Sequence, residues 1–185
     1  MIDELLLETE DMMETRVRVL KDDFSVVRAG RATPALLERV RVDYYGAPTP
    51  INQLASISAP EPRLLVIQPW DKGAMGDIEK AILTSDLGLT PQNDGNVIRL
   101  VIPQLTEERR QELIRNLRKR AEEERVAVRN IRRSSNDQIK DLEKSGDLSE
   151  DDARRTQEQV QELTDKYIET INQLLESKEK EMMEV

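Results

Sequence analysis

The chain of 185 residues contains no cysteine and no histidine. The first absence excludes disulfide bonds and thiolate chemistry, and the second removes the commonest general base and metal ligand. Aromatic residues make up only 3% of the chain, which suits long amphipathic helices better than a β-rich core. No apolar run approaches the length of a membrane span, and no basic segment precedes an apolar core near the N-terminus. We therefore expect a cytoplasmic protein without a membrane partner.

Catalytic and cofactor motifs are also missing. The segment Gly73-Ala-Met-Gly76 lacks the Lys-Ser or Lys-Thr that would complete a phosphate-binding loop. A hydrolase could use a pair of carboxylates, but the acidic residues lie mainly on helix faces that we predict to be exposed. Asp151-Asp152 could bind a cation, yet such pairs are typical of the first turn of a helix, where they complement its dipole. We expect no catalytic residue, no metal site and no cofactor.

The formal net charge of −9 is unevenly distributed along the chain. Residues 107–133 contain ten basic and six acidic side chains, whereas residues 147–185 contain five basic and twelve acidic ones. Unlike charges could simply pair between packed helices. Alternatively, a concentrated basic face on an acidic body could bind a polyanion in one orientation, because the remaining surface repels it.

Apolar residues recur at helical spacing in three long segments. The first covers residues 1–29 and is followed by Gly30, a residue type that commonly ends a helix. The second begins after Thr106, a plausible N-cap, and runs to about Lys144. The third begins at the capping box Ser149-Glu-Asp-Asp152 and continues close to the C-terminus. Since each helix needs a partner for its apolar face, residues 1–29 and 106–185 predict a three-helix bundle.

Residues 31–105 predict a small inserted α+β domain. We expect strands at Val40–Tyr44, Leu54–Ala59, Leu64–Ile67 and Val97–Ile102, and a short helix between Gly73 and Ser85. Gly46–Pro50 and Pro60-Glu-Pro62 are predicted to break the first two strands. The fold class is therefore α+β with two domains.

Two short crossings connect the inserted domain to the bundle, near residues 30–31 and 103–106. We predict a hinge there, formed by Gly30, Arg31, Gln104, Leu105 and Thr106, because so small an insertion has only a slight interface with the bundle. A rigid turn fixed by Gly30 and Pro34 is the alternative.

The second long helix carries two lines of residues. One is an apolar seam for packing against other helices, with two polar gaps at Glu124 and Gln138. Its members are Leu117, Ala121, Glu124, Val128, Ile131, Ser135, Gln138 and Leu142. The other line lies about one residue further round, and we call it the arginine stripe. It consists of Arg118, Glu122, Arg125, Arg129, Arg132, Asn136 and Lys140.

The arginine stripe has two interpretations. It could be a solvated helix face with pairs along the helix, such as Glu122 with Arg118 and Arg125. Against this, residues 125–133 contain four arginines and no acid, and the planar guanidinium group suits phosphate oxygens. Asn130 and Asn136 add groups that can contact a base or sugar. Because aromatic stacking groups are lacking, the stripe favours binding to the backbone and shape of folded RNA.

Five sequence blocks resemble the signature of bacterial ribosome recycling factors, and their order and spacing agree over essentially the whole chain. The blocks are Arg28-Ala-Gly-Arg31-Ala-Thr-Pro-Ala-Leu-Leu37, Asp43-Tyr-Tyr-Gly-Ala-Pro-Thr-Pro50, Ala81-Ile-Leu-Thr-Ser-Asp-Leu-Gly-Leu89, Leu105-Thr-Glu-Glu-Arg-Arg110 and Val126-Ala-Val-Arg-Asn-Ile-Arg-Arg133. The resemblance implies a three-helix bundle with an inserted β/α/β domain, joined by a hinge in an L shape.

The resemblance also implies a function in protein biosynthesis, after translation termination. Such factors bind the post-termination ribosome on its large subunit, between the tRNA sites. With elongation factor G and GTP they split the subunits and release messenger RNA and deacylated transfer RNA, and they hydrolyse nothing themselves.

The family's ribosomal RNA contacts carry over to arginines of this chain. Arg129 and Arg132 come first, and Arg125 belongs to the same stripe. The remaining candidates are Arg110, Arg133 and the hinge-side Arg28 and Arg31. The bundle would anchor through these arginines while the translocase pushes the inserted domain about the hinge.

A helical scaffold or chaperone-like adaptor is the competing interpretation, with long seams that pair with partner helices. Such a protein should self-associate through exposed seams, whereas a closed three-helix bundle should be a monomer.

Overall fold

The computed structural model describes residues 1–27 and 31–184. Backbone contacts divide them into two compact units. The bundle comprises Met1–Val27 and Glu107–Glu184, and the inserted unit is the intervening chain as far as Thr106. Among the described residues, no helix combines the length and apolar character that crossing a bilayer requires.

The elements follow the expected α+β class. The helices are α1 (Ile2–Ser25), α2 (Met75–Thr84), α3 (Glu107–Lys144) and α4 (Glu150–Met183). The strands are β1 (Arg41–Tyr44), β2 (Ala47–Pro50), β3 (Ala55–Glu61), β4 (Leu64–Pro69), β5 (Gln92–Asn93) and β6 (Ile98–Val101). Helices α1, α3 and α4 each pack against the other two in the bundle.

Helix α1 ends earlier than predicted, at Ser25 instead of residue 29. The Val27 N–H donates to the Phe24 carbonyl at 3.2 Å, a tightened bond that closes the last turn. Val26 and Val27 are β-branched, and Val26 is exposed, so burial does not offset the low helix propensity of Val26. The predicted Gly30 stop lies outside the described residues.

The seam of α3 differs from the prediction near its C-terminal end. Ile139 is fully buried, whereas Gln138 is exposed. From Ser135, position 139 lies about 40° round the helix and position 138 about 60° the other way, so the apolar residue is also the better aligned one. Ile131 and Leu142 are only half-buried.

Buried threonines in the bundle satisfy their hydroxyl groups on their own helices. Thr9, Thr156 and Thr164 donate to the carbonyl four residues earlier, at 2.8, 2.7 and 2.8 Å. The Thr9 oxygen also lies 2.7 Å from the Ser135 hydroxyl on α3. Because the Thr9 proton already goes to a carbonyl, Ser135 is the donor, and the pair ties α1 to α3 without an unsatisfied group.

At the predicted polar gap in the seam, Glu124 belongs to a network of ion pairs between α1 and α3. Glu124 is only 3% exposed, and its Oε1 lies 2.6 Å from Arg120 Nη1. Arg120 also contacts Asp23 of α1 at 2.8 Å, and Arg16 of α1 lies 3.9 Å from Glu124 Oε2. A buried carboxylate needs such partners, since an unpaired charge would be costly.

Helix α4 is tied to α1 through a buried phenol. The Tyr167 hydroxyl donates to Glu10 Oε1 at 2.9 Å, and Lys166 Nζ lies 3.2 Å from the same oxygen. Burial, followed by this hydrogen bond, raises the pKa of Tyr167 to about 12. The hydrogen bond from Tyr167 and that from Lys166 lower the pKa of Glu10.

The break between α3 and α4 is short and well bonded. Gly146 has a φ of +82°, and the Asp147 N–H donates to the Leu142 carbonyl at 2.9 Å. This arrangement is the Schellman ending that glycine favours. The Ser149 hydroxyl accepts from the Asp152 N–H at 3.1 Å, which confirms the predicted cap of α4. The two helices therefore run back along each other.

The inserted unit contains a β1–β2 hairpin and an antiparallel sheet of order β3-β4-β6-β5. Helix α2 contributes Met75, Ile78 and Ile82 to its core. The predicted break at Gly46–Pro50 is right in that β1 ends before Gly46, and wrong in that Ala47–Pro50 forms β2. Tyr45 and Gly46 both have positive φ and form the two-residue turn, and the prolines are tolerated because this strand pairs on one side.

The predicted break at Pro60-Glu-Pro62 is also wrong in part. Strand β3 continues to Glu61, with a shift of register between Ser58 and Glu61. Pro60 lacks an N–H to donate, and β3 is an edge strand where such an irregularity is tolerated.

Both ends of the inserted unit are bonded to one loop. The Ala32 N–H donates to the Pro62 carbonyl at 2.7 Å, and the Ile102 N–H donates to the Arg63 carbonyl at 2.8 Å. Ala32 and Ile102 are buried in the core of this unit. The predicted hinge residues Arg31, Gln104, Leu105 and Thr106 lie beyond these two anchors and outside regular structure.

Replacing Ile139 with alanine should lower the free energy of unfolding of the bundle by about 3 kcal/mol, because a fully buried side chain leaves a cavity. The matched control is Gln138→Ala, one residue away and exposed, for which we expect a change within about 0.5 kcal/mol. Urea unfolding followed by helical circular dichroism measures both. Equal losses in the two variants would show that the seam does not pass through Ile139.

Candidate nucleic-acid interface

Three arginines of the stripe recur every seven residues and lie along the margin between α3 and α4. Arg118 Nε donates to Glu179 Oε1 at 2.6 Å, and Arg125 Nε donates to Asn172 Oδ1 at 2.8 Å. Arg132 Nη1 donates to Gln161 Oε1 at 3.2 Å. The side chains of α4 therefore orient this row of arginines, while the apolar seam of α3 beside it packs against the other helices of the bundle.

A second set of polar side chains lies outward from this row, on α3 alone. Glu122 accepts from two arginines, one on each oxygen: Arg125 Nη1 at 2.9 Å and Arg129 Nη1 at 3.2 Å. Arg133 Nη1 donates to Asn130 Oδ1 at 3.1 Å. The hydrogen bond from Arg125, followed by that from Arg129, lowers the pKa of Glu122. Of the two pairs that a solvated helix face would form, Glu122 with Arg125 is present, whereas Arg118 pairs with Glu179 instead.

The degree to which carboxylate partners neutralise the arginines of the stripe decreases from Arg118 to Arg133. Arg118 has a carboxylate partner, and Arg125 and Arg129 share one carboxylate. Arg132 and Arg133 donate to neutral amides, and in the part of the chain that the structure describes neither forms an ion pair. The positive charge that remains available to a polyanion is therefore concentrated between Arg125 and Arg133.

The partners on α4 follow from the position of the helix break. Counted along the sequence, Arg118 and Glu179 lie the same number of residues from the Leu148–Ser149 pair. The same is true of Arg125 and Asn172. The residue equally far from the break as Arg132 is Asp165. Gln161 instead accepts from Arg132, and its Nε2 donates to Asp165 at 2.9 Å. An amide thus takes the place that a carboxylate could have occupied.

Arg110, the other predicted RNA-binding residue of the bundle, does not join this cluster. Arg110 lies in the first turn of α3, where its Nη1 is 3.1 Å from Glu107. At the rise of a helix this is about 22 Å from Arg125. Arg31 is exposed on the inserted unit, and Arg28 lies outside the described residues. The Asn136 amide oxygen is buried and finds no hydrogen-bond partner among the described residues, so it is not presented for RNA contact.

Sequence reasoning missed Gln161, Asn172 and Glu179, which hold the arginine row from α4. In the sequence they are three polar residues among many on an acidic helix. Their distance from the break is the signal that could have found them, since antiparallel neighbours are equally far from the turn that joins them.

The arrangement suits recognition of phosphates and not of bases. Guanidinium groups donate in a planar fork that matches phosphate oxygens. Helix α3 contains no aromatic residue on which a base could stack. The stripe can therefore bind the backbone of a folded nucleic acid but offers little for reading its sequence.

Comparison with known proteins gives one family. The family model described as "Ribosome recycling factor" matches residues 20–183. The ribosome-recycling factor of Carboxydothermus hydrogenoformans is 63% identical over 185 residues, which cover all of both chains.

Solved structures agree with the sequence comparison. A solution structure of the ribosome recycling factor is 47% identical, has a TM-score of 0.83 and matches 100% of this chain and 98% of its own. A chain from models for the T. thermophilus ribosome recycling factor and the E. coli elongation factor G bound to the E. coli post-termination complex matches with a TM-score of 0.64. It is 48% identical and covers 98% of both chains.

The bridge made by Glu122 should be visible in its titration. We expect the pKa of the Glu122 carboxyl group to lie below that of an unperturbed glutamate, because two guanidinium groups favour the ionised form. Arg129→Gln should move this pKa back toward the usual value, since one of the two cations is removed. Carbon NMR of the side-chain carboxyl groups between pH 2 and pH 7 measures both. An unchanged pKa in the variant would show that Arg129 does not contact Glu122 in solution.

Proposed function

Because this chain belongs to the ribosome recycling factor family, we propose that it binds the post-termination ribosome and splits the subunits together with elongation factor G and GTP. Messenger RNA and deacylated transfer RNA would be released in the same step. The observation that carries this proposal is that, among the described residues, the four arginines from Arg125 to Arg133 share a single carboxylate partner, Glu122, on a chain of net negative charge. A relative with 48% identity has been placed with elongation factor G on the post-termination complex, which supports the same partners here.

The arginine stripe is the proposed anchor on large-subunit ribosomal RNA. Arg125 and Arg132 would contact phosphates from positions that α4 holds, and Arg129 and Arg133 would extend the contact outward. Arg110, Arg28 and Arg31 would add contacts nearer the hinge. Since residues 1–29 and 147–185 of the bundle carry a net negative charge, long-range repulsion would disfavour other orientations of the bundle on RNA.

The factor would act by binding and movement, not by catalysis. The sequence has no phosphate-binding loop of the G-x-x-x-x-G-K-[ST] type, so we assign GTP hydrolysis to elongation factor G. We place the factor in the cytoplasm, where ribosomes work. The apolar faces of α1, α3 and α4 are used against one another, which supports a monomer over a scaffold that offers seams to partner helices.

The inserted unit is the proposed lever. Its two ends are fixed at Ala32 and Ile102, so the change of backbone angles would fall on Gly30, Arg31, Gln104, Leu105 and Thr106. The bundle would stay on the large subunit while elongation factor G pushes residues 31–105. Rotation about this hinge would disrupt contacts between the subunits.

Arg132→Ala should weaken binding to isolated large subunits by roughly 10-fold or more, because a charge-assisted contact to phosphate is lost. The plot of log K against log salt should also become shallower by about one unit. Filter binding at several salt concentrations measures both quantities.

The matched control is Arg118→Ala, on the same helix line but already paired with Glu179. We expect a clearly smaller loss of affinity and little change of slope. Both variants should keep the helical circular dichroism of the parent. Equal affinities and slopes for Arg132→Ala and the parent protein would contradict the proposed anchor.

Adding flexible chain at both crossings tests the lever. A Gly-Ser pair inserted after Arg31 and another after Gln104 should weaken large-subunit binding less than about 2-fold, because the arginine stripe is untouched and only contacts near the hinge are affected. Subunit splitting with elongation factor G and GTP should fall at least 10-fold, since a push on the inserted unit is no longer transmitted. Light scattering of ribosomes, with each component omitted in turn, measures splitting. Full splitting activity in the lengthened protein would rule out the lever.

A further inference from the structure

Three consecutive glutamates of α3 lie in three different environments. Glu124 is buried and faces Arg120 and α1. Glu123 is exposed and lies 3.6 Å from Arg120, on the side toward α1. Glu122 contacts Arg125 and Arg129 on the arginine stripe. Of the three, only Glu122 places a negative charge within the surface that would meet RNA.

The contacts of Glu122 occupy donors that a phosphate would use. Each oxygen of the carboxylate accepts from a different guanidinium group, at 2.9 and 3.2 Å. The Glu122 side chain is 54% exposed, and those of Arg125 and Arg129 are 18% and 38% exposed. The bridge therefore lies at the surface, where an incoming anion can reach it and the glutamate can rotate away.

We propose that Glu122 is an internal competitor for phosphate: it holds Arg125 and Arg129 in the free protein and is displaced when RNA binds. This inference rests on the proposed function, in which the same stripe contacts large-subunit RNA. The carboxylate keeps two like charges one helical turn apart in a defined geometry. It also makes binding depend on replacing both ion pairs, which an extended phosphate surface does and an isolated phosphate does poorly.

If Glu122 competes with phosphate, removing its charge should change the affinity for RNA in a defined direction. A carboxylate next to the contact repels phosphate and leaves two arginines partly neutralised, so its removal should strengthen binding. A residue that only positions the arginines would have the opposite effect, since its removal would disorder them. The sign of the change therefore separates the two roles.

The test is Glu122→Gln, which keeps the size and one acceptor but removes the charge. Its matched control is Glu123→Gln, which changes the net charge equally at a neighbouring residue of the same helix that is 55% exposed. We expect Glu122→Gln to bind isolated large subunits roughly 3- to 10-fold more tightly at low salt, with a steeper salt dependence. Glu123→Gln should change the affinity less than 2-fold.

Two further measurements assign the cause. Inorganic polyphosphate serves as a second probe that needs no ribosome, and it should show the same order of affinities. In an Arg125→Gln/Arg129→Gln background, the effect of Glu122→Gln should disappear, because the donors for which it competes are gone. Thermal unfolding should show that the single variants remain folded.

The outcomes separate this inference from the proposed function. If the parent protein fails to bind large subunits, the proposed function fails, and polyphosphate alone decides the role of Glu122. If the parent binds but Glu122→Gln and Glu123→Gln strengthen binding equally, the effect is one of net charge and the competitor is rejected. Weaker binding by Glu122→Gln would also reject it and would make Glu122 an organiser of the arginines.

Discussion

The antiparallel packing of α3 on α4 is the constraint on which the arginine stripe depends. Burial of apolar side chains holds the two helices together, and the five residues between them set their register. That register decides which polar group of α4 faces each arginine. The ion pairs and hydrogen bonds at the margin are exposed and contribute little to stability themselves. They determine instead where the guanidinium groups lie and how much of their charge is compensated.

This arrangement explains how an acidic member of the ribosome recycling factor family can present a basic surface. Glutamate faces Arg118, but asparagine and glutamine face Arg125 and Arg132. Neutral amides orient a guanidinium group without cancelling its charge. At the α1–α3 contact, by contrast, two carboxylates hold one arginine, since Glu124 and Asp23 both pair with Arg120. The side of α3 that faces α1 thus carries ion pairs that hold the helices together. The side near α4 carries arginines whose charge remains available for binding.

The sequence predicted the long helices, the arginine stripe and the cap at Ser149, because each depends on local spacing. It failed where two local signals competed. Gly46 and the prolines after it read as a break, although a hairpin turn followed by an edge strand uses the same residue types. Ile139 was missed because alternating steps of three and four residues put Gln138 on the seam, although position 139 lies closer to the line through Ser135. The roles of Gln161 and Asn172 depend on the register between distant segments, which periodicity within one helix does not contain.

The two bonds from Ala32 to Pro62 and from Ile102 to Arg63 have a mechanical consequence. A body attached by one chain can spin freely about that chain. A body attached by two chains at neighbouring points cannot spin in this way without winding the chains around each other. In the proposed lever, bending about the line between the two points would change only a few backbone angles. For a recycling factor that acts as a lever, this double attachment would leave one soft rotation and transmit torque about the other axes.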